Sequence, residues 1–203
     1  LQFSGFGQNF NRPAPNSSGQ YEFIKTDTTA QNKYYLHSPF AITTTGSNFL
    51  YIIDEDGYIA WWSEHFKKYF DFKFHPEQNE YLFTRRATST PPIYHFEMDN
   101  SFNIVDSIRS VNGTSGDIHE FQIFPNGNYC FLGLQDTIVD LSSYIINGIP
   151  GSPSTNLVDL MVWEFDPGHN LVMSWSAINH IPADVFVDGF PYNPASFDFV
   201  HGN

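Results

Sequence analysis

Two short polar segments carry the side chains best suited to chemistry. Asp117-Ile-His119-Glu120 and Asp198-Phe-Val-His201-Gly-Asn203 each set an imidazole beside carboxylate or amide groups. Imidazoles and amides gathered at one place can hold an anionic oxygen and relay a proton near neutral pH. Other chemistries are poorly provided for. None of the eight histidines stands in a His-x-His or His-x3-His spacing, and His119-Glu120 lacks the second histidine of a zinc-binding helix. Cys130 is the single cysteine, so neither a thiolate metal site nor an internal disulfide is expected. Asp54-Glu-Asp-Gly57 begins like a calcium loop, but it lacks the later ligands and terminal Glu and reads as a hairpin turn. There is no Gly-x-Ser-x-Gly elbow for a nucleophilic serine. No metal and no cofactor is expected.

The elements that must position these segments are short strands. Phe49–Ile53 and Tyr58–Trp62 flank Asp54-Glu-Asp-Gly57, Ile93–Met98 and Phe102–Val105 flank Asp99-Asn-Ser, and Leu160–Phe165 and Asn170–Trp175 flank Asp166-Pro-Gly-His. Each reads as strand, tight turn, strand. A second hairpin type alternates with the first: Phe70–Phe74 with Glu80–Thr84 around His75-Pro-Glu-Gln-Asn79, and His119–Phe124 with Asn128–Leu132 around Pro125-Asn-Gly. Pro76 to Pro125 is 49 residues and Asp54 to Asp99 is 45. Asp99 to Asp166 is 67, an ordinary spacing if 136–156 is an inserted loop. A period in the forties built of two hairpins is the signature of four-stranded propeller blades.

The predicted fold is therefore all-β, a β-propeller. A chain of 203 residues holds about three to four such blades, whereas propellers close with roughly four to eight. A new hairpin enters at Asp198 where the chain stops, so the expectation is a partial propeller over 21–203, part of a longer protein. Residues 1–20, rich in Gly, Asn, Ser and Pro, read as an arm or linker. Trp62–Phe70 is predicted to make at most a turn or two of helix. The innermost strand of each blade lines the channel. Polar residues at the starts of two inner strands, where the equivalent Phe70 is aromatic, would then converge at one mouth. Trp61 or Trp62, Trp163 and Trp175 are expected between blades.

Composition narrows the partners. Aromatics make up 18% and charged residues 15%, against about 25% charged in ordinary soluble domains, which excludes a disordered chain or a coiled coil. A formal charge of −13 repels polyanions, and the basic clusters Lys67-Lys68 and Arg85-Arg86 are too short to offset it. No nucleic-acid partner is expected. No run approaches the roughly 18 apolar residues of a membrane span, and none is predicted. Leu1 leads directly into polar sequence, with neither a signal peptide nor an initiating Met, as in a mature or trimmed product. Cys130 lies in the apolar run Tyr129–Leu132 and reads as a buried, inert thiol.

Three elements in this order carry a resemblance: His119-Glu-Phe-x3-Pro-Asn-Gly-Asn128, then Val162-Trp-Glu-Phe-Asp-x2-His-Asn170 leading to Trp175, then Asp198-x2-His201-x-Asn203. Together they resemble the arylsulfotransferase family, bacterial aryl-sulfate sulfotransferases that are exported six-bladed propellers. The likeness covers roughly 35–203 and is strongest from Asp117 onward. It implies sulfuryl transfer from a phenolic sulfate to a phenol acceptor through a sulfohistidine, without the nucleotide sulfate donor. Carried over, His119 and His201 would contact the sulfuryl group and Asn203 would help position it. The covalent histidine and an arginine of the family lie after the last element. They are expected beyond residue 203, and the 203 residues alone are expected to be inactive. An exported location, periplasmic, secreted or at the cell surface, is implied as well.

A second reading is a non-catalytic propeller at the cell surface, serving as a binding or adhesion platform. A third has the chain as cargo of a bacterial secretion machine. Asp27-Thr-Thr29, Asp106-Ser-Ile108 and Asp136-Thr-Ile138 resemble the O-glycosylation triplets of Bacteroidetes exported proteins, and Asn112-Gly-Thr114 is a formal sequon that reads as a turn.

Overall fold

The computed structural model describes residues 33–38, 49–64, 68–86, 93–110, 114–146, 148–182, 193, 195–198 and 200. Residues 1–20, Asp27–Thr29, Lys67, Asn112, His201 and Asn203, singled out above, lie outside them. The chain divides into two units, Leu1–Ile108 and Arg109–Asn203.

In the first unit, β1 (Tyr34–His37), β2 (Phe49–Asp54) and β3 (Ile59–Glu64) form an antiparallel sheet with β2 at its centre. β4 (Lys68–His75), β5 (Glu80–Arg86), β6 (Ile93–Met98) and β7 (Ile104–Arg109) form a four-stranded sheet in chain order. β2 is an unbroken apolar run because both its faces are covered. Leu50 and Ile52 pack with Tyr69, Phe72, Tyr81, Phe83 and Met98 of the second sheet. Phe49, Tyr51 and Ile53 point the other way, against Ile59 and Trp62. Alternate residues of a strand face opposite sides, so one run feeds two cores. Of the tryptophan pair it is Trp61 that lies between the sheets, 4.3 Å from the Phe102 ring and 6.1 Å from Phe72.

The second unit holds a five-stranded sheet and a two-stranded one. β8 (Ser115–Ile123), β9 (Tyr129–Val139), β12 (Thr155–Phe165) and β13 (Leu171–Ser176) are neighbours in that order, with a small hairpin of β10 (Ile145–Ile146) and β11 (Ile149–Pro150) between β9 and β12. β9 and β12 pair without interruption from Tyr129 opposite Phe165 to Val139 opposite Thr155. The inserted segment is thus 140–154, shorter at each end than the 136–156 read from its turn residues. Its Leu141 and Ile146 are buried with Leu157, Leu160 and Ala177. A 3-10 turn, Ala177–Asn179, follows β13, and β14 (Ser196–Asp198) runs parallel to the start of β12. The other face is aromatic: Phe131 stacks on Phe165 at 5.2 Å and meets Trp163 edge-on at 6.0 Å.

Three hairpin turns are copies of one another. Asp54, Asp99 and Asp166 each donate a backbone N–H to the carbonyl four residues on, Tyr58, Asn103 or Asn170, at 2.9 Å. Their Oδ1 atoms accept the N–H groups two and four residues on, at 2.8–3.0 Å. The residue three on is left-handed: Gly57 at φ +86°, Phe102 at +65° and His169 at +61°. This is a type I turn closed by a bulge. Phe102 has no glycine-like freedom, but its ring stacks on Trp61 and on Tyr81, 5.2 Å away. The bonds from Asn103 and Asn170 hold the Asp99 and Asp166 carboxyls below the usual range.

Within 62–70 the described residues are extended, and 65–67 lie outside them. Trp62–Glu64 closes β3 and Lys68–Phe70 opens β4, since aromatic residues fit a pleated, half-buried surface and ladder partners are at hand.

Candidate functional site

β8, the first strand of the five-stranded sheet, is irregular where the sequence sets its polar segment. Gly116 faces Gly133 and Phe121 faces Phe131, so residues 117–120 stand opposite Leu132 alone. A bulge of this kind takes backbone groups out of the ladder and re-aims side chains. β4 bulges too: Phe70 faces Thr84 and Lys73 faces Leu82, with Asp71 left-handed at φ +50°. Each bulge pairs an aspartate with a basic side chain two residues on. Asp71 Oδ2 lies 2.8 Å from Lys73 Nζ, and Asp117 Oδ1 lies 2.6 Å from His119 Nδ1.

Asp117 is buried, while a third of the His119 side chain is exposed. The same Oδ1 accepts the His119 backbone N–H at 2.9 Å. One carboxylate oxygen therefore serves the backbone group displaced by the bulge and fixes the ring. Beside the bulge, Gln122 Nε2 donates to Glu120 Oε1 at 3.0 Å. On the next strand, burial pushes the Cys130 thiol up, with Glu164 and Glu120 adding to the effect. The thiol stays protonated at neutral pH and is no nucleophile.

The second polar segment is only partly described. Asp198 lies on β14 opposite Val158 of β12. β12 and β9 separate it from β8, three strand spacings or roughly 14 Å across the sheet, and it is further offset along the strands, since Val158 faces Asp136 while 117–120 stand opposite Leu132. His201 and Asn203 lie outside the described residues, and their convergence with His119 is a proposal taken up below.

A third polar group was not anticipated. Buried Asp159 accepts a hydrogen bond from Ser176 Oγ at 2.5 Å and another from the Ile178 backbone N–H at 3.0 Å. His180 Nδ1 donates to the Ser176 carbonyl at 2.8 Å, and its ring stacks on Trp175. Serine, histidine and aspartate are neighbours, but the carboxylate holds the serine rather than the histidine. That is not a nucleophilic relay; it ties the 3-10 turn to β12. Only the sheet brings these residues together, so no spacing in the sequence could have signalled them.

Among the described residues, no three His, Cys, Asp or Glu side chains are grouped to hold a metal ion. No helix there is long and apolar enough to cross a membrane. No family model matches the chain, and no curated protein matches it.

Proposed function

We propose that the sheets are blades of a six-bladed propeller and that the intact protein is an exported aryl-sulfate sulfotransferase. It moves a sulfuryl group from a phenolic sulfate to a histidine nitrogen and then to a phenol acceptor. The first phenolate leaves with a proton, and the acceptor phenol gives one up. The observation that carries the reading is the Asp117–His119 pair, set in a bulge on β8, the edge strand of the run β8-β9-β12-β13. In a propeller that strand faces the channel, where His119 meets the sulfuryl group with His201 and Asn203. Imidazole and amide donors offset charge developing on sulfate oxygens. The covalent histidine is expected after residue 203.

A crystal structure of the intact protein soaked with an unreactive aryl sulfonate tests the placement. His119, His201 and Asn203 are expected within ~3 Å of its anionic oxygens. His119 and His201 at opposite ends of the channel would leave the binding-platform reading as the better account.

A further inference from the structure

We propose that Asp117 is a positioning residue that holds the neutral His119 ring in the Nδ1–H tautomer. The bulge removes the His119 backbone N–H from the ladder. Asp117 Oδ1 recaptures it at 2.9 Å and, from the same atom, takes the ring Nδ1 at 2.6 Å. A carboxylate oxygen only accepts, so the hydrogen of this contact belongs to Nδ1. The buried aspartate and the bulge leave little freedom to exchange the two ring nitrogens. The neutral ring then carries its lone pair on Nε2, the form in which an imidazole takes up a proton or a bond to an electrophile. Free imidazole side chains favour the opposite tautomer, so the preference has to be imposed by the protein. A charged or polar partner at the other nitrogen is the usual device for setting a histidine tautomer.

The tautomer follows from local geometry alone. Its bearing on rate rests on the sulfotransferase reading.

Both are measured on the intact protein. With histidine labelled with nitrogen-15, long-range proton–nitrogen correlation above the titration range identifies which ring nitrogen carries hydrogen, and His119→Gln assigns the signal. Wild-type protein is expected to show a hydrogen-bearing Nδ1 and a bare Nε2. In Asp117→Ala the His119 signal is expected to revert to the Nε2–H form. Asp117→Asn, which keeps an acceptor oxygen in place, is expected to retain Nδ1–H. A wild-type His119 in the Nε2–H form overturns the proposal without recourse to any variant, as does an Nδ1–H form that persists in Asp117→Ala. In turnover of 4-nitrophenyl sulfate, Asp117→Ala is expected to lower kcat at least tenfold with KM little changed, and Asp117→Asn to restore most of it. A protein with no turnover but an Asp117-dependent Nδ1–H tautomer would defeat the sulfotransferase reading and uphold this one.

Discussion

Asn128 donates its side-chain amide to Glu164 across β9 and β12 at 2.6 Å, in the position where Glu80 meets Glu97 in the four-stranded sheet of the first unit. The registers make the pairs equivalent, since Tyr81 faces Met98 as Tyr129 faces Phe165. One repeat has an amide donor and the other has two carboxyls. The carboxyl pair is the costlier arrangement once both are ionised.

Burial pushes the Glu80 carboxyl up to about 7, with a hydrogen bond to Glu97 and the charges of Glu97 and Asp99 adding to it. A carboxyl raised in the folded state stabilises the fold while it is protonated. That contribution is present below its ordinary value near 4.5 and is lost as pH rises through about 7. Glu80→Gln is therefore expected to raise the melting temperature at pH 8 and leave it nearly unchanged at pH 4. Equal shifts at both pH values would contradict the pairing.

Buried His95 is held at about 3, chiefly by burial and in part by Lys73, and its Nδ1 lies 2.9 Å from Thr84 Oγ1. A histidine depressed in the folded state favours folding fully above its ordinary 6.5, and this is lost as pH falls from 6.5 toward 3. Wild-type stability should decline over that window, and Thr84→Val/His95→Leu should flatten the decline. Urea unfolding at a series of pH values measures it, and parallel profiles for the two proteins would refute the assignment.

The Trp163 ring lies over Gly133, so closely that a Cβ added there would sit 1.8 Å from a ring carbon. Glycine is required at that position because a neighbouring group occupies the side-chain space. Gly133→Ala is expected to cost about 1–3 kcal/mol by overpacking, and Trp163→Ala about 3–5 kcal/mol by leaving a cavity. In the double variant the alanine methyl enters the vacated space, so the double cost should fall short of the sum. Additive losses in denaturant unfolding would mean that the two residues do not meet.

What was legible in the sequence was local. The hairpins could be read from Asp, Asn, Gly and Pro because each turn satisfies its own backbone groups, as Asp99 does for Ser101 and Asn103. The repeat was legible through the same turns. Even its change in spacing, 49 residues between Pro76 and Pro125 but 48 between Tyr81 and Tyr129, has a turn-level cause. The β4–β5 turn carries one residue more than the β8–β9 turn, as the pairs Phe74–Tyr81 and Ile123–Tyr129 show. What was not legible depends on partners distant in the chain. The bulges at 71–72 and 117–120 are defined only against β5 and β9, and the Asp159–Ser176 bond only by the pairing of β12 with β13. The parallel docking of β14 has no signature in a three-residue strand. In the candidate site, His119 was found from its polar neighbours, while the fixing of its ring by Asp117 needed the bulge to be seen.

Sulfuryl transfer by the intact protein is the most direct test of the central claim. With 4-nitrophenyl sulfate as donor and phenol as acceptor, release of nitrophenolate should be matched by formation of phenyl sulfate and should need no nucleotide. Replacing His119 or His201 with Ala should lower the rate by about 10²-fold or more, the scale expected for one acid–base or anion-stabilising group, while His37→Ala and His75→Ala stay near wild type. An intact, folded protein that releases no nitrophenolate, or whose His119→Ala variant transfers at the wild-type rate, would contradict the account.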